Sequence, residues 1–200
     1  KIITEQSLSG GGRKMLERGR SGLEIASSIP GESESIISEL NRILGEKNEG
    51  IFQEANLDVK VWCSRASHDF GHLATVEIIF SNEISAHEII EAWQNFSSRV
   101  FDSRLPSSSQ IINFVDGKLD PIKHRWSGSV TALPDEDLSA GMPVSVGEIE
   151  VSGKKLKFKL LSDNTIRGAA GYGVLLAELL LVEELIPEKN LINMSFNRRN

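Results

Sequence analysis

The sequence is poor in the residues that build covalent or metal frameworks. Its 200 residues include one cysteine, Cys63, which excludes an internal disulfide and a multi-cysteine zinc site. A reducing compartment, the cytoplasm or one like it, is the expected setting. Aromatic residues make up only 6%, and 22 Lys and Arg are outnumbered by 28 Asp and Glu. With a net charge of -6 and basic residues scattered outside Lys154, Lys155, Lys157 and Lys159, a nucleic-acid partner is not expected. Those four lysines alternate as on a strand and read as a solvated face. A long apolar run is missing too: "GVLLAELLLVEELI" carries three glutamates and is too short and too charged to cross a bilayer. No signal-peptide pattern opens the chain. It begins at Lys1 inside an apparent strand end, "KIITEQ", as expected of a cut or processed end.

What is present describes a folded domain. Two-fifths of the residues are apolar and one-quarter charged, with no internal repeat and enough length for one core. "SLSGGGRKMLERGRSG" reads as a glycine-rich turn feeding a short helix. In "SSIPGESESIISELNRILG", Pro30 and Gly31 break the chain, Ser33 can cap, and Ile36, Ile37, Leu40, Ile43 and Leu44 recur at helical spacing up to Gly45. Two strands, 58–65 and 73–80, flank the polar insert "ASHDFG" and are expected to pair. A helix over 85–95 opens with Ser85 and Glu88 at capping-box spacing. "SSRVFDSRLPSSSQ" reads as loop, "IINFVD" as a short strand, and "GKLDPIKHRWSGSVTALPDEDLSAG" as a long irregular crossing. An antiparallel pair turned at Ser152 and Gly153 comes next, then a helix over 165–185 capped by Asn164 or Thr165. The fold class is α+β, a largely antiparallel sheet with helices on one face.

Few residues carry chemistry. Arg65 offers a planar fork for a carboxylate, and His72 a ring able to take and return a proton. They lie across a turn in which Gly71 permits unusual backbone. On spacing alone, a surface arginine and a turn histidine are the plainer reading. His68 reads as a turn histidine, and His87 and His124 as surface or helix residues without sequence partners. "SGGG", Ser9–Gly12, resembles a phosphate-cradling turn but lacks the lysine and hydroxyl of a nucleotide loop. "GAAGYG", Gly168–Gly173, has the wrong glycine spacing for a dinucleotide fingerprint and reads as close packing.

Together, "TEQSLSGGGRKM", "SRASHDFGH" and "LLSDNTIRGAAGYGVLLAELL", supported by "GESESIISELNRILG" and "AGMPVSVGEIE", resemble the C-terminal catalytic and dimerisation domain of aspartate-semialdehyde dehydrogenases. The resemblance is to their archaeal and fungal branch; it covers almost the whole chain and fades at "PIKHRWSG" and after about Ile186. It implies the C-terminal fold shared with glyceraldehyde-3-phosphate dehydrogenases, over residues 1–186, with a tail at 187–200. It also implies roles: Gln6 holding the acyl intermediate, Arg65 binding the substrate carboxylate, His72 as acid and base toward a cysteine thiol, and Asn164 near the nicotinamide of NADP. No metal is implied.

Two departures from that pattern stand out. The N-terminal Rossmann domain of the family is not in the sequence, and Cys63, two residues before Arg65, does not match the nucleophile. The lysine that the family places in the "GESESIISEL" segment is matched by Ser35, with no basic residue between Pro30 and Arg42. The expectation is therefore part of an NADP-dependent reductase turning an acyl phosphate into an aldehyde in amino-acid biosynthesis. The chain alone is expected to be inactive and to bind no cofactor. An acyl-CoA reductase is a related possibility, and a non-catalytic structural subunit of a larger assembly is the alternative. A homodimer or a separate dinucleotide-binding chain is the expected partner, with no membrane.

Overall fold

The computed structural model describes residues 1–108, 110–126 and 136–186. The expected tail at 187–200 lies outside the described residues, as does part of the long crossing.

The β-branched start of the chain forms β1 (Ile2–Gln6), which runs through a 3-10 turn at Leu8–Gly11 into α1 (Arg13–Arg20). Then come α2 (Glu32–Ile43), β2 (Glu46–Asn48), β3 (Ile51–Gln53), β4 (Val61–Arg65), β5 (His72–Ile79) and α3 (Ala86–Val100). The last third holds β6 (Ile112–Val115), a 3-10 turn at Leu138–Gly141, β7 (Val144–Ser152), β8 (Lys155–Ser162), a π turn at Ile166–Ala170, and α4 (Gly171–Val182). Among the described residues, no helix is long and apolar enough to cross a membrane.

Six strands form one sheet in the order β4-β1-β5-β8-β7-β6, and β2 and β3 form a separate hairpin. The α+β class holds. The centre is antiparallel, while β4 runs parallel to β1 and β6 parallel to β7 at the two edges. The strands at 58–65 and 73–80 do not pair as expected; β1 lies between them, parallel to the first and antiparallel to the second. An inserted first strand cannot be read from the spacing of two later ones.

Alternation along β5 and β8 sorts the sheet into two faces. His72, Ala74 and Val76 face the same side as Ser162, Leu160 and Phe158, their register partners. On that side α3 packs Trp93 against Phe158, with ring centroids 5.1 Å apart, and α2 packs along β4. The opposite side carries the lysines: Lys155 pairs with Glu77 at 3.0 Å, Lys157 with Glu150 at 3.0 Å and Lys159 with Glu148 at 2.8 Å. The lysine strand is thus an ion-paired sheet face.

Local chemistry explains the helix ends. The capping box at α3 forms, with Ser85 Oγ accepting the Glu88 N–H and Glu88 Oε2 accepting the Ser85 N–H at 2.7 Å. No glycine or proline follows before Val100, so the helix continues past the expected end at 95. Ser33 does not cap α2; Gly31 takes the N-cap in the left-handed region at φ 78°, where a glycine is unstrained. The helix expected over 165–185 is split, and neither Asn164 nor Thr165 caps it by side chain. Asp163 holds that entry instead, accepting from the Thr165 N–H, the Thr165 hydroxyl and the Ile166 N–H at 2.7–3.0 Å. The wide turn settles on Met142, and a side chain at Gly171 would meet Met142 Sδ and Ile166 O at 2.8 Å.

Candidate active site

The strand order brings three expected residues to one end of the sheet. β1 and β4 are parallel and end together, with Gln6 opposite Arg65, while β5 runs the other way and starts there with His72. The turn after β1 and the insert before β5 are joined by backbone hydrogen bonds, Leu8 N–H to His68 O at 2.9 Å and Ser9 N–H to Asp69 O at 3.0 Å. Arg20 fastens the insert from α1 through Asp69 at 2.7 Å.

Arg65 and His72 converge over Gly10. A Cβ on that glycine would lie 2.8 Å from His72 Cε1 and 2.9 Å from Arg65 Nη1, so any side chain would separate the pair. Arg65 Nη1 is steadied by donating to Ser7 O at 3.0 Å. His72 Nδ1 accepts the Ser7 N–H at 3.1 Å, which assigns the ring proton to Nε2. Burial, then the charges of Arg65 and His68, push His72 down from 6.5 to about 4, against an upward pull from Glu32. At neutral pH the ring is therefore an uncharged donor at Nε2. Taking a proton at that atom requires tautomer exchange, because Nδ1 is already used.

Gln6 is buried beside this pair, but its amide Nε2 donates to Glu32 Oε1 at 2.6 Å on α2. Asn164 is knitted in from the end of β8. Its Oδ1 accepts the Gly71 N–H at 3.0 Å and the Ser7 hydroxyl at 3.1 Å, and its Nδ2 donates to Ser9 Oγ at 3.0 Å. Asn164 thus ties the turn after β1 to the backbone just ahead of His72.

Two neighbouring hollows take up three of the four expected residues. His72 and Asn164 line an open cleft of about 460 Å³ with Ser9, Gly10, Ser162, Thr165, Gly168 and Ala169. Arg65 lines a neighbouring hollow of about 220 Å³ among Leu8, Leu23, Ile25 and Ser67, and Gln6 lines neither. Cys63 is half-buried within β4. His68 hydrogen-bonds Gly71 O at 2.6 Å, which makes it a brace of the insert. His87 faces Glu91 at 3.9 Å, one helical turn on, and His124 accepts the Asp120 N–H at 2.9 Å, so both have local partners after all. Among the described residues, no group of three or more His, Cys, Asp or Glu stands close enough to hold a metal ion.

Ser7, Gly10 and Glu32 escaped the sequence reading. Ser7 acts through its backbone and its hydroxyl and Gly10 through the absence of a side chain, roles set by place in the fold that leave no pattern in the letters. Glu32 did carry a signal: it opens a helix whose next basic residue is ten positions on.

A mixed sheet with one helical face has counterparts among known proteins. No protein-family model matches the chain. It is 30% identical over 187 residues to the aspartate-semialdehyde dehydrogenase of Archaeoglobus fulgidus, covering 93% of this chain and 51% of that protein. Against a malonyl CoA reductase (NADP) of Metallosphaera sedula, identity is 29% over 200 residues, covering 94% and 52%. The crystal structure of aspartate semialdehyde dehydrogenase with NADP from Candida albicans superposes with a TM-score of 0.68 at 27% identity, over 92% of this chain and 51% of that one. The fold is that of the C-terminal domain of these enzymes. The chain is a relative of the archaeal and fungal aspartate-semialdehyde dehydrogenases, and it spans about half the length of the relatives it matches.

Proposed function

We propose that this chain supplies the substrate-binding and proton-handling part of an NADP-dependent reductase that converts an activated acyl group into an aldehyde. The meeting of Arg65 and His72 over Gly10 is the observation that supports this most. Arg65 would grip the carboxylate of the substrate's far end through paired N–H groups. His72, neutral and protonated at Nε2, would donate a hydrogen bond to oxygen as negative charge develops there. Gln6, braced by Glu32, would orient the acyl carbonyl. Asn164 would fix the cleft wall rather than bind by its amide oxygen, which is committed to Gly71 and Ser7. The thiolate that carries the acyl group and the dinucleotide-binding segment would come from outside residues 1–186, and this chain by itself would then turn nothing over.

The cleft beside His72 would take one end of NADP. Gly168 leaves its rim open, with nothing closer than 3.9 Å to a Cβ placed there, and the residues lining it include no cation for the phosphates. His72, Asn164 and Gly168 would therefore border the nicotinamide alone; when bound, that ring supplies the hydride. A dinucleotide-binding chain or a second copy is the proposed partner. The exposed apolar residues Tyr172, Val174, Leu176 and Leu179 of α4 support such a partner, since a helix apolar on all sides is normally covered.

The leaving group is the open chemical point. Ser35 donates its hydroxyl back to Gly31 O at 3.0 Å, and α2 offers no cation before Arg42 to meet a phosphate. This favours an acyl thioester over an acyl phosphate, in line with the malonyl CoA reductase among the relatives. It also leaves room for the second reading, a subunit retained for assembly alone.

Calorimetric titration with succinate and L-aspartate tests substrate recognition. Both carry the carboxylate Arg65 would hold, and only aspartate carries an ammonium for Glu32. The expected result is binding that weakens at least tenfold in Arg65→Met, with any preference for aspartate lost in Glu32→Gln. Equal binding by the parent chain and Arg65→Met overturns the assignment.

A further inference from the structure

The segment 118–126 has no role in the proposed reaction, yet two of its side chains reach the backbone supporting His72 and Asn164. Asp163, 1% exposed, precedes Asn164. Its Oδ1 organises the Thr165 turn, and its Oδ2 accepts the Trp126 indole N–H at 2.7 Å and faces Arg125 Nε at 3.2 Å. The Arg125 N–H is misaligned for a hydrogen bond, so this contact is an ion pair, and among the described residues Nε is a buried donor without an acceptor. A buried carboxylate needs such a countercharge, and Arg125 is the cation paired with it among the described residues.

The same guanidinium lies 5.0 Å from the centroid of Phe70 and 4.3 Å from that of Trp126, within cation–π range of both. Its stem continues along the chain ahead of His72: a Cβ on Gly71 would be 3.6 Å from Arg125 Cδ. Arg125 thus touches residues 70 and 71 on one side and residue 163 on the other, the immediate neighbours of His72 and Asn164.

We propose that Arg125, with Asp163 and Trp126, is a positioning clamp that holds the His72 insert against the Asn164 turn and so sets the depth and hydrogen bonding of the His72 ring. Its functional meaning rests on the reductase reading, but the clamp can be tested without substrate. Without it, Phe70 and Gly71 lose their anchor, the Gly71 N–H to Asn164 bond opens, and water reaches the imidazole. Arg65, His68 and Glu32 continue to face the ring, so an effect of the clamp appears as changed burial rather than a lost neighbouring charge.

The experiment follows the His72 Cε1 proton through a pH titration by NMR, with amide exchange at Gly71, in the full chain and in Arg125→Gln, Asp163→Asn and Arg125→Lys. Arg104→Gln, which removes two surface ion pairs elsewhere, to Asp102 and Glu183, is the stability control. The expected result is a His72 midpoint at least one pH unit higher and Gly71 exchange at least tenfold faster in Arg125→Gln and Asp163→Asn. Arg125→Lys, which keeps charge without the stacking plane, falls between, and Arg104→Gln matches the parent. A His72 midpoint and Gly71 exchange unchanged in folded Arg125→Gln overturn the clamp, as does an equal response in Arg104→Gln. Should Arg125→Gln not fold, Phe70→Leu and Arg125→Lys decide by the same readouts. Failure of succinate to bind the parent chain would count against the reductase reading and leave this comparison intact.

Discussion

His72 shows how one residue's surroundings become a measurable property of the chain. The fold holds its ring neutral by burial and by the charge of Arg65, with a value near 4 in place of 6.5. Between those values the unfolded chain binds the extra proton, so this residue's contribution to stability is complete above pH 6.5 and disappears as pH falls toward 4. Chemical denaturation of His72→Gln should therefore fall less steeply between pH 7 and 4.5 than that of the parent. Parallel curves would place the ring in water. Glu77, Asp102 and Glu88, all held below the ordinary carboxylate range by hydrogen bonds, lose their contributions in both proteins at lower pH and cancel from the comparison. At this scale Arg65 and His72 were legible as residue types suited to a carboxylate and a proton. The third neighbour, Gly10, was not, because what it contributes is the absence of a side chain where two others meet.

Among elements, the sequence was most readable where the signal was local. The Ser85 and Glu88 box was visible as two letters at fixed spacing, and Ser85→Ala should lower stability by about 1 kcal/mol, measured as a shift of the urea midpoint with unchanged slope. A shift within error would show that α3 is held by Trp93 packing alone. The turn between β7 and β8 was nearly as plain; it lies at Gly153 and Lys154, one residue beyond the expected Ser152 and Gly153, because Ser152 still pairs with Lys155, and Gly153 takes φ 58°. Non-local pairing was not readable. Placing β1 between β4 and β5 depends on contacts 59 residues apart on the β4 side and 68 to 74 on the β5 side, and that insertion is what carries Gln6 into the line of Arg65 and His72. The hairpin of β2 and β3 was missed because each strand has three exposed residues and shows no alternation to detect. Its turn, Glu49 and Gly50 both at positive φ, is the feature that could have revealed it.

For the whole molecule, the two sheet faces divide the work. One buries Phe158 and Leu156 under helices and carries His72 at its end; the other is laced with lysine–glutamate pairs. The exposed apolar surface of α4 is what the proposed partner would cover. Arg65 and His72, as one electrostatic unit at the strand ends, are probed by titrating His72 in parent and Arg65→Met chains. The expected parent midpoint is near 4 and rises by more than half a unit when the guanidinium is removed. A parent midpoint near 6.5 that ignores the substitution would contradict that expectation.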